Sequence, residues 1–326
     1  MTNFKIPKEK IAGKVTEVVI GATSGQGGTR SHTITIGGST ALPFLLFEGD
    51  FPHPPVIAME VFDKPPAKYP DVLLEYYRDV IGKPGEMAKK CVELYGAELI
   101  SIKLEGTHPE KGNKSVEEAV EIVKQVLTSV EVPIIISGHS FFEKINEVMK
   151  KVCEVTAGEN CLINYVETDN YKTIAAACIA YKHTLVAQTP IDVNLAKQLN
   201  ILLTDMNFPE DKIVIDPLTG TLGYGLEYTY SIIERIRNDG LAGDKMLGFP
   251  ILINPGYESF KIKETRVSAQ EYPQWGDPEL RAAYWETATA MSLLAAGAEL
   301  LILYHPRSVE TVKQKIREMF ASGKGE

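Results

Sequence analysis

Eight apolar, strand-like runs alternate with helix-like segments between residues 56 and 320. Val, Ile and Leu dominate the runs, which cover residues 56–61, 99–104, 133–137, 161–166, 184–189, 213–216, 250–254 and 300–304. Such runs, without polar alternation, are typical of parallel strands that are buried on both faces. Regular alternation with helices indicates crossover connections between those strands. The sequence therefore predicts an α/β fold with eight parallel strands.

The number of units favours a closed barrel over an open sheet. A (β/α)8 barrel contains eight strand–helix units in about 250 residues. The first strand is not followed by the G-x-G-x-x-G turn of a dinucleotide fold. The composition, 44% hydrophobic and 24% charged, is ordinary for a globular protein with a real core. We predict one (β/α)8 TIM barrel over residues 56–326.

Residues 1–55 precede the barrel and are predicted to contain a β-hairpin extension. Residues 15–20 and 32–36 are strand-like, and a Gly-rich connection over residues 22–31 joins them. This connection lacks the lysine and the spacing of a P-loop. Two interpretations stay open: a flexible hairpin loop, or a contact loop whose Arg30 reaches an anionic group. We expect the hairpin to pack on the barrel and to cover its amino-terminal opening.

The sixth unit has the most distinctive local sequence. Asp216 ends its strand, and Gly220, Gly223 and Gly225 follow within a few residues. Closely spaced glycines let a backbone approach a bulky ligand, and ligands bind at the carboxyl ends of barrel strands. The residues of this unit that we assign to a ligand site are Asp216, Thr219, Gly220, Gly223 and Tyr224.

Polar side chains are expected at the carboxyl ends of the other strands as well. Together with Asp216 they are Glu60, Lys103, Glu105, His139, Asn164, Gln188, Asn254, Tyr304 and His305. The amides Asn164, Gln188 and Asn254 complete the predicted ligand site. An amide-lined mouth suits a flat, neutral ligand rich in hydrogen-bonding groups, such as a pterin or a corrin ring with its peripheral amides.

The sequence offers no recognisable catalytic or metal-binding motif. It contains no H-x-H, no H-E-x-x-H and no G-x-S-x-G, so we assign no catalytic residue and no metal ligand. A general acid–base pair of Glu60 and Asp216 stays possible. The four cysteines are scattered and none forms a C-x-x-C pair, so we expect reduced core thiols and no iron–sulfur cluster in this chain.

Charge and hydropathy limit the partners and the location. The chain has 34 Lys and Arg against 43 Asp and Glu, a net charge of −9, which argues against nucleic acid or an anionic membrane as a partner held by bulk charge. The amino terminus has no apolar signal segment. The most apolar stretch, residues 293–304, is short and contains Glu299. We expect a cytoplasmic protein.

Two connections are longer than a barrel requires. Residues 62–84 and 255–278 both follow strands, so both belong to the carboxyl-end face. The second contains aromatic residues together with Lys261, Lys263 and Arg266. This mixture suits a protein–protein contact, and a self-packed Ω-loop is the alternative.

Motifs along nearly the whole chain carry a family resemblance. The most specific is the strand Ile213-Val214-Ile215-Asp216-Pro217 followed by the segment 223–228 (GYGLEY). Others are the segments 21–33 (GATSGQGGTRSHT), 42–44 (LPF), 47–49 (FEG), 158–160 (GEN), 170–172 (NYK), 197–202 (KQLNIL) and 271–276 (EYPQWG). With these motifs the chain resembles the small (delta) subunit of the corrinoid iron–sulfur protein of the acetyl-CoA synthase/CO dehydrogenase system.

The resemblance implies a (β/α)8 barrel that pairs with a large subunit. That subunit carries a [4Fe–4S] cluster and a corrinoid-binding domain, and the corrinoid (a cobalamin-type cofactor) lies between this domain and the barrel. The pair takes a methyl group from methyltetrahydrofolate through a separate methyltransferase and passes it to acetyl-CoA synthase. The resemblance thus implies a non-catalytic partner subunit. Two alternatives stay open: a pterin-dependent methyltransferase barrel, and a scaffold that touches no cofactor.

Overall fold

The eight predicted strands are present and parallel, and an antiparallel hairpin precedes them. The computed structural model describes residues 7–43, 45–66 and 69–322; Phe44 of the 42–44 motif and the first six residues of the predicted hairpin segment lie outside this range. The hairpin strands are β1 (Val18–Ile20) and β2 (Ile34–Ile36). The barrel strands are β3 (Val56–Phe62), β4 (Ile100–Lys103), β5 (Ile134–Ser137), β6 (Leu162–Val166), β7 (Thr184–Gln188), β8 (Ile213–Asp216), β9 (Leu252–Ile253) and β10 (Leu300–Leu303).

The strands form a barrel in the predicted order. The hydrogen-bonded order is β8-β7-β6-β5-β4-β3-β10-β9. A parallel bridge between Ile215 and Ile251 joins the first and last strands of this order, and the Ile215 amide donates a 2.8 Å hydrogen bond to the carbonyl of Pro250. The ladder therefore returns on itself, which leaves few unpaired backbone groups at a sheet edge.

Helices surround the barrel and cover its strands. They are α1 (Asp71–Tyr77), α2 (Pro84–Glu93), α3 (Val116–Ser129), α4 (Phe142–Val155), α5 (Tyr171–Tyr181), α6 (Val193–Asp205), α7 (Leu226–Leu241), α8 (Pro255–Ser259), α9 (Pro278–Ala296) and α10 (Pro306–Ser322). No helix in the described ranges combines the length and the apolar composition that a membrane crossing requires. The four cysteines are free and buried, as expected of core thiols.

The hairpin packs on the amino-terminal ends of the barrel strands. The Gly21 amide donates to the Asn160 carbonyl, just before β6, and the Thr16 amide donates to the Gly248 carbonyl, before β9. The hydroxyl of Thr184, the first residue of β7, donates to the Val19 carbonyl. These contacts lie at the end of the barrel opposite to the predicted ligand site. The division at residue 55 stays a prediction.

Arg30 is a structural contact within this chain. Its side chain is buried, and its Nε lies 2.9 Å from Oε2 of Glu159. One of its terminal nitrogens donates to the carbonyls of Val130 and Val132. Arg30 does reach an anionic group, but that group is Glu159 and not a ligand. This network fixes the end of the connection at Arg30, and the flexibility of the rest of the loop stays a prediction.

The two long connections fold more than the sequence suggests, because each contains a short helix that was not predicted. Helix α1 lies in the first connection and α8 in the second. The Tyr76 hydroxyl of α1 donates a 2.6 Å hydrogen bond to Glu279 in the first turn of α9. The Tyr77 hydroxyl donates to the Tyr304 carbonyl, next to β10. The first connection is therefore tied to the barrel wall and is not only packed on itself.

Candidate functional site

A cavity of about 180 Å³ opens at the carboxyl ends of the barrel strands. Side chains of β4, β6, β7 and β8, and of the segments that follow β4, β5, β8 and β9, line it. Five of the eight predicted site residues are among them: Asn164, Gln188, Asp216, Thr219 and Asn254. Residues that were predicted from strand ends, and that are up to 90 positions apart in the chain, thus line one cavity.

The other three predicted site residues lie outside the cavity lining. The Gly220 amide donates to Oγ1 of Thr229, and a Cβ at Gly220 would lie 2.6 Å from the Gly225 carbonyl oxygen, so loop packing already requires glycine there. Gly223 has a left-handed φ of 75° with open space around it. Tyr224 is 58% exposed on the outer rim. A ligand role for these three residues stays a prediction.

Asp216 is the most perturbed acidic group of the cavity lining. Its Oδ2 accepts a 2.7 Å hydrogen bond from Nε2 of Gln188, and its Oδ1 accepts a 2.8 Å bond from the Leu218 amide. Burial raises the pKa of Asp216 to about 6, although these hydrogen bonds oppose the shift. No contact joins it to Glu60 in the described part of the chain. Glu60 instead accepts from the hydroxyls of Ser101 and Tyr304, so the acid–base pair that the sequence left open is not formed.

Asn164 ends a chain of buried hydroxyl groups. Its Nδ2 donates to Oγ of Ser137 at 3.0 Å, and that oxygen lies 3.1 Å from Oγ of Ser101. Ser101 in turn donates to Glu60 at 2.9 Å. Oδ1 of Asn164 is buried and has no hydrogen-bond partner among the described residues. The cavity therefore contains a residue with an unused acceptor.

Thr219 and Asn254 shape the loop at the opposite side of the cavity. The Asn254 amide donates to Oγ1 of Thr219 at 2.9 Å. Oδ1 of Asn254 accepts from the Tyr257 amide at 3.0 Å and so caps helix α8. These bonds occupy the backbone and the side-chain oxygen of Asn254 within the protein. They fix the loop after β9 against the loop after β8.

Charged groups lie on the β4 side of the cavity. Lys103 has its ammonium 5.4 Å from the centre of the Tyr257 ring, and Lys111 pairs with Glu105. Burial raises the pKa of Glu105, but Lys103 and Lys111 outweigh burial and hold this pKa below its usual value. Because positive and negative side chains lie together on this side, the cavity as a whole has no strong preference for an anionic ligand.

His139 is satisfied by its own neighbours. Its Nδ1 accepts from the Phe141 amide at 3.2 Å, and its Nε2 lies 2.9 Å from Oγ1 of Thr107. Since Thr107 donates its own hydrogen to the Leu104 carbonyl, Nε2 of His139 must be the donor. Burial, with a contribution from His108, lowers the pKa of His139 to about 4. Both ring nitrogens are in use, which makes His139 a structural residue of the cavity wall.

Several lining residues were not predicted from the sequence. Most come from loops or from α8 and not from strand ends: His108, Lys111, Ser140, Leu218, Tyr257 and Glu258. Tyr165 lies within β6, next to Asn164. Tyr257 and Glu258 belong to the unpredicted helix α8. Leu218 is unusual because it has a left-handed φ of 65° and a 37% exposed side chain. Only the position of the long connections pointed to this part of the site.

The second long connection forms an aromatic and cationic ladder on the rim. The rings of Tyr272 and Trp275 are stacked with centroids 4.2 Å apart. Lys263 lies 4.1 Å from the Tyr272 ring centre, and the Arg281 guanidinium lies 5.6 Å from that of Trp275.

Among the described residues no group of three His, Cys, Asp or Glu side chains is arranged to hold a metal ion.

Comparison with known proteins identifies the family. The family model of the CO dehydrogenase/acetyl-CoA synthase delta subunit matches residues 17–310. The acetyl-CoA decarbonylase/synthase complex subunit delta of Archaeoglobus fulgidus is 39% identical over 317 residues, which are 95% of this chain and 70% of that protein. The corresponding subunit of Methanocaldococcus jannaschii is 33% identical over 313 residues, 96% of this chain and 76% of that protein.

Solved structures agree on the fold alone. Dihydropteroate synthase from Xanthomonas albilineans has a TM-score of 0.55 at 16% identity and covers 84% of this chain and 94% of its own. The enzyme from Thermus thermophilus has a TM-score of 0.53 at 16% identity, with 82% and 94% covered. At such identities the likeness confirms the TIM barrel and does not transfer an activity.

The sequence matches support the predicted methyl-carrier subunit and not the pterin-dependent methyltransferase. This chain belongs to the CO dehydrogenase/acetyl-CoA synthase delta subunit family.

Proposed function

We propose that this chain is the small subunit of a heterodimeric corrinoid iron–sulfur methyl carrier of the reductive acetyl-CoA pathway, and that its barrel mouth caps the corrinoid held by the large subunit. The match to the delta subunit family over residues 17–310 carries this proposal. The methyl group comes from methyltetrahydrofolate by way of a separate methyltransferase and goes on to acetyl-CoA synthase. Both enzymes are transient partners, and the complex is cytoplasmic.

The size of the cavity supports a cap rather than an enclosing site. Sites that bury a whole small-molecule ligand measure about 300–1,000 Å³, whereas this cavity measures about 180 Å³. A corrin macrocycle does not fit inside it. It fits across the mouth, where Leu218 is exposed beside the amide-bearing wall, and one peripheral group can enter the cavity. The donor and acceptor set of the wall suits the amides of the corrin periphery.

A bound corrinoid would supply a cobalt centre that accepts and donates the methyl group. The residues of this chain would cover one face of the ring, keep water and oxygen away from it and contact its periphery. Both nitrogens of His139 are bonded within the protein, so this histidine suits the cavity wall and not cobalt ligation. None of the cavity residues is assigned a catalytic role in this proposal.

The decisive experiment measures protection of the corrinoid in the heterodimer. The large subunit alone and the heterodimer are reduced, and the oxidation of the corrinoid in air-limited buffer is followed by its visible spectrum. We expect slower oxidation in the heterodimer. Equal rates and unchanged spectra would contradict the cap and leave only a scaffold.

A variant of the mouth tests the residues. Asp216→Ala with Thr219→Ala removes the groups that hold Leu218 and the loop before α8. We expect this variant to lose protection and retain less corrinoid after gel filtration. Tyr284→Ala, on the exposed face of α9, is the control and should behave as the wild type. Calorimetry with methyltetrahydrofolate separates the pterin alternative, since tight binding to this chain alone would favour it.

A further inference from the structure

The buried polar chain that ends at Asn164 has a fixed direction. Ser101 donates its single hydroxyl hydrogen to Oε1 of Glu60 at 2.9 Å. In the 3.1 Å contact between Ser101 and Ser137, the hydrogen must therefore come from Ser137. Having used its own hydrogen, Ser137 must accept from Asn164, which it does at 3.0 Å from Nδ2.

This direction determines the orientation of the Asn164 amide. The amide nitrogen has to face Ser137, so the amide oxygen is left free. Asn164 is 5% exposed, it lines the cavity, and its Oδ1 has no partner in the described part of the chain. Buried acceptors without partners are rare because desolvation without a compensating hydrogen bond is costly. Oδ1 of Asn164 is therefore an unused acceptor in a residue of the cavity wall.

We propose that Oδ1 of Asn164 is a subsite for one primary amide of the corrinoid that lies across the mouth. This inference rests on the proposed capping function and states which group of the ligand enters the cavity. A primary amide provides the N–H that the free oxygen requires, and the corrin periphery carries such groups. The cavity volume of about 180 Å³ admits a side group and not the macrocycle. Asn254 is less suited to this role, because its Oδ1 already accepts from Tyr257.

The test compares two corrinoids that differ in their N–H donors. The large subunit is loaded either with cobinamide, which has primary amides, or with the heptamethyl ester of cobyrinic acid, in which esters replace them. The dissociation constant of this chain from each loaded subunit, and from the empty subunit, is measured. We expect wild type to bind the amide-loaded subunit about threefold to tenfold more tightly than the ester-loaded one.

Two variants separate the acceptor from general effects on packing. Asn164→Leu has a similar shape and no acceptor, and it should reduce the amide preference to less than about twofold. Asn164→Asp keeps an acceptor oxygen. The Ser137 hydrogen then turns from Ser101 to one oxygen of the new carboxylate, which gives up the Ser137–Ser101 bond but leaves the second oxygen free, so the preference should persist. Thermal unfolding of each variant shows that the barrel is intact. Because esters are larger than amides, the comparison between variants carries the conclusion.

The outcomes distinguish this inference from the proposed function. If wild type prefers the loaded subunit over the empty one but treats amide and ester alike, the subsite is overturned and the cap stands. Full retention of the preference by Asn164→Leu also overturns the subsite. If wild type binds loaded and empty subunits equally, the capping function itself fails.

Discussion

Gln188 and Asp216 stand side by side at the ends of neighbouring strands, and Nε2 of Gln188 donates a 2.7 Å hydrogen bond to Oδ2 of Asp216. The carboxylate is nevertheless unfavourable at this place, because burial raises its pKa from the usual 3.8 to about 6. The charged form of Asp216 therefore lowers the stability of the fold. A buried group that destabilises the fold is expected in a ligand cavity, because such a residue serves ligand binding and not stability.

We predict a pH-dependent stability that disappears in Asp216→Asn. Between the unfolded and the folded pKa the native state binds more protons than the unfolded state, so the contribution of Asp216 to stability falls as pH rises from about 4 to about 6 and is constant above. At pH 7.5 the variant should be more stable by up to roughly 3 kcal/mol. The variant can keep both contacts if the Gln188 amide turns over. Urea unfolding at several pH values measures the effect.

The exposed Asp50 provides the control for this pH series. Asp50→Asn should parallel the wild type at every pH. A constant difference between Asp216→Asn and wild type from pH 4.5 to 7.5 would show that Asp216 does not titrate as proposed.

Tyr304→Phe is expected to destabilise the barrel through Glu60. The Tyr304 hydroxyl donates to Oε2 of Glu60, a buried carboxylate whose pKa burial already raises. Loss of a bond to a charged group costs about 1.5–3 kcal/mol. Tyr77→Phe is the matched control, because the Tyr77 hydroxyl is buried and donates to the neutral carbonyl of Tyr304, with an expected cost of about 0.5–1.5 kcal/mol. Equal losses in the two variants would mean that Glu60 is uncharged in the native state.

Arg237→Met should cost more than any exposed ion-pair substitution in this chain. Arg237 and Glu299 are 2.7 Å apart with side chains only 2% exposed. Removal of the arginine leaves a buried carboxylate without its cation, which costs about 3–5 kcal/mol. The double variant Arg237→Met with Glu299→Gln should recover much of this loss in chemical unfolding, since no charge is left to bury. A double variant as unstable as the single one would show that packing of the arginine, and not its charge, stabilises the barrel.

The barrel could be predicted because short stretches of sequence are enough to recognise its strands. The strand β5, Ile134–Ser137, is a run of β-branched residues before a polar stop, and β8, Ile213–Asp216, repeats this pattern. Helix α8 was missed because it is five residues long and begins with Pro255 and Gly256, which mark a loop in a sequence. It forms because Asn254 caps it and the barrel wall supports it. Tertiary contacts thus override the local signal there.

The candidate site could be predicted only in part, for a similar reason. Strand ends point to one space, so Asn164, Gln188 and Asp216 were found without knowledge of any loop. The fixed orientation of Asn164 depends on Ser101 and Ser137 in two other strands, and no sequence pattern reports such a network. Leucine is also not a residue that signals a left-handed turn, so the conformation of Leu218 had no sequence signature.

Leu218 links the strained loop to the proposed function. Its left-handed φ of 65° costs an L-residue about 1–2 kcal/mol, and Asp216 holds it in place through the 2.8 Å bond to its amide. The strain leaves a large apolar side chain exposed at the cavity, where a solvent-facing leucine brings no stability. Strain of this kind is a reason to look for a function, and contact with the covered ring face would supply one.

We predict that Leu218→Gly separates stability from protection. Glycine removes the left-handed strain but adds about 0.5–1 kcal/mol of backbone entropy cost, so stability should rise by roughly 0–1.5 kcal/mol. Leu218→Ala keeps the strain and should gain nothing. In the heterodimer both variants lack the covering side chain, so both should speed the oxidation of the reduced corrinoid to a similar extent. Wild-type oxidation rates in both variants would show that Leu218 does not cover the ring.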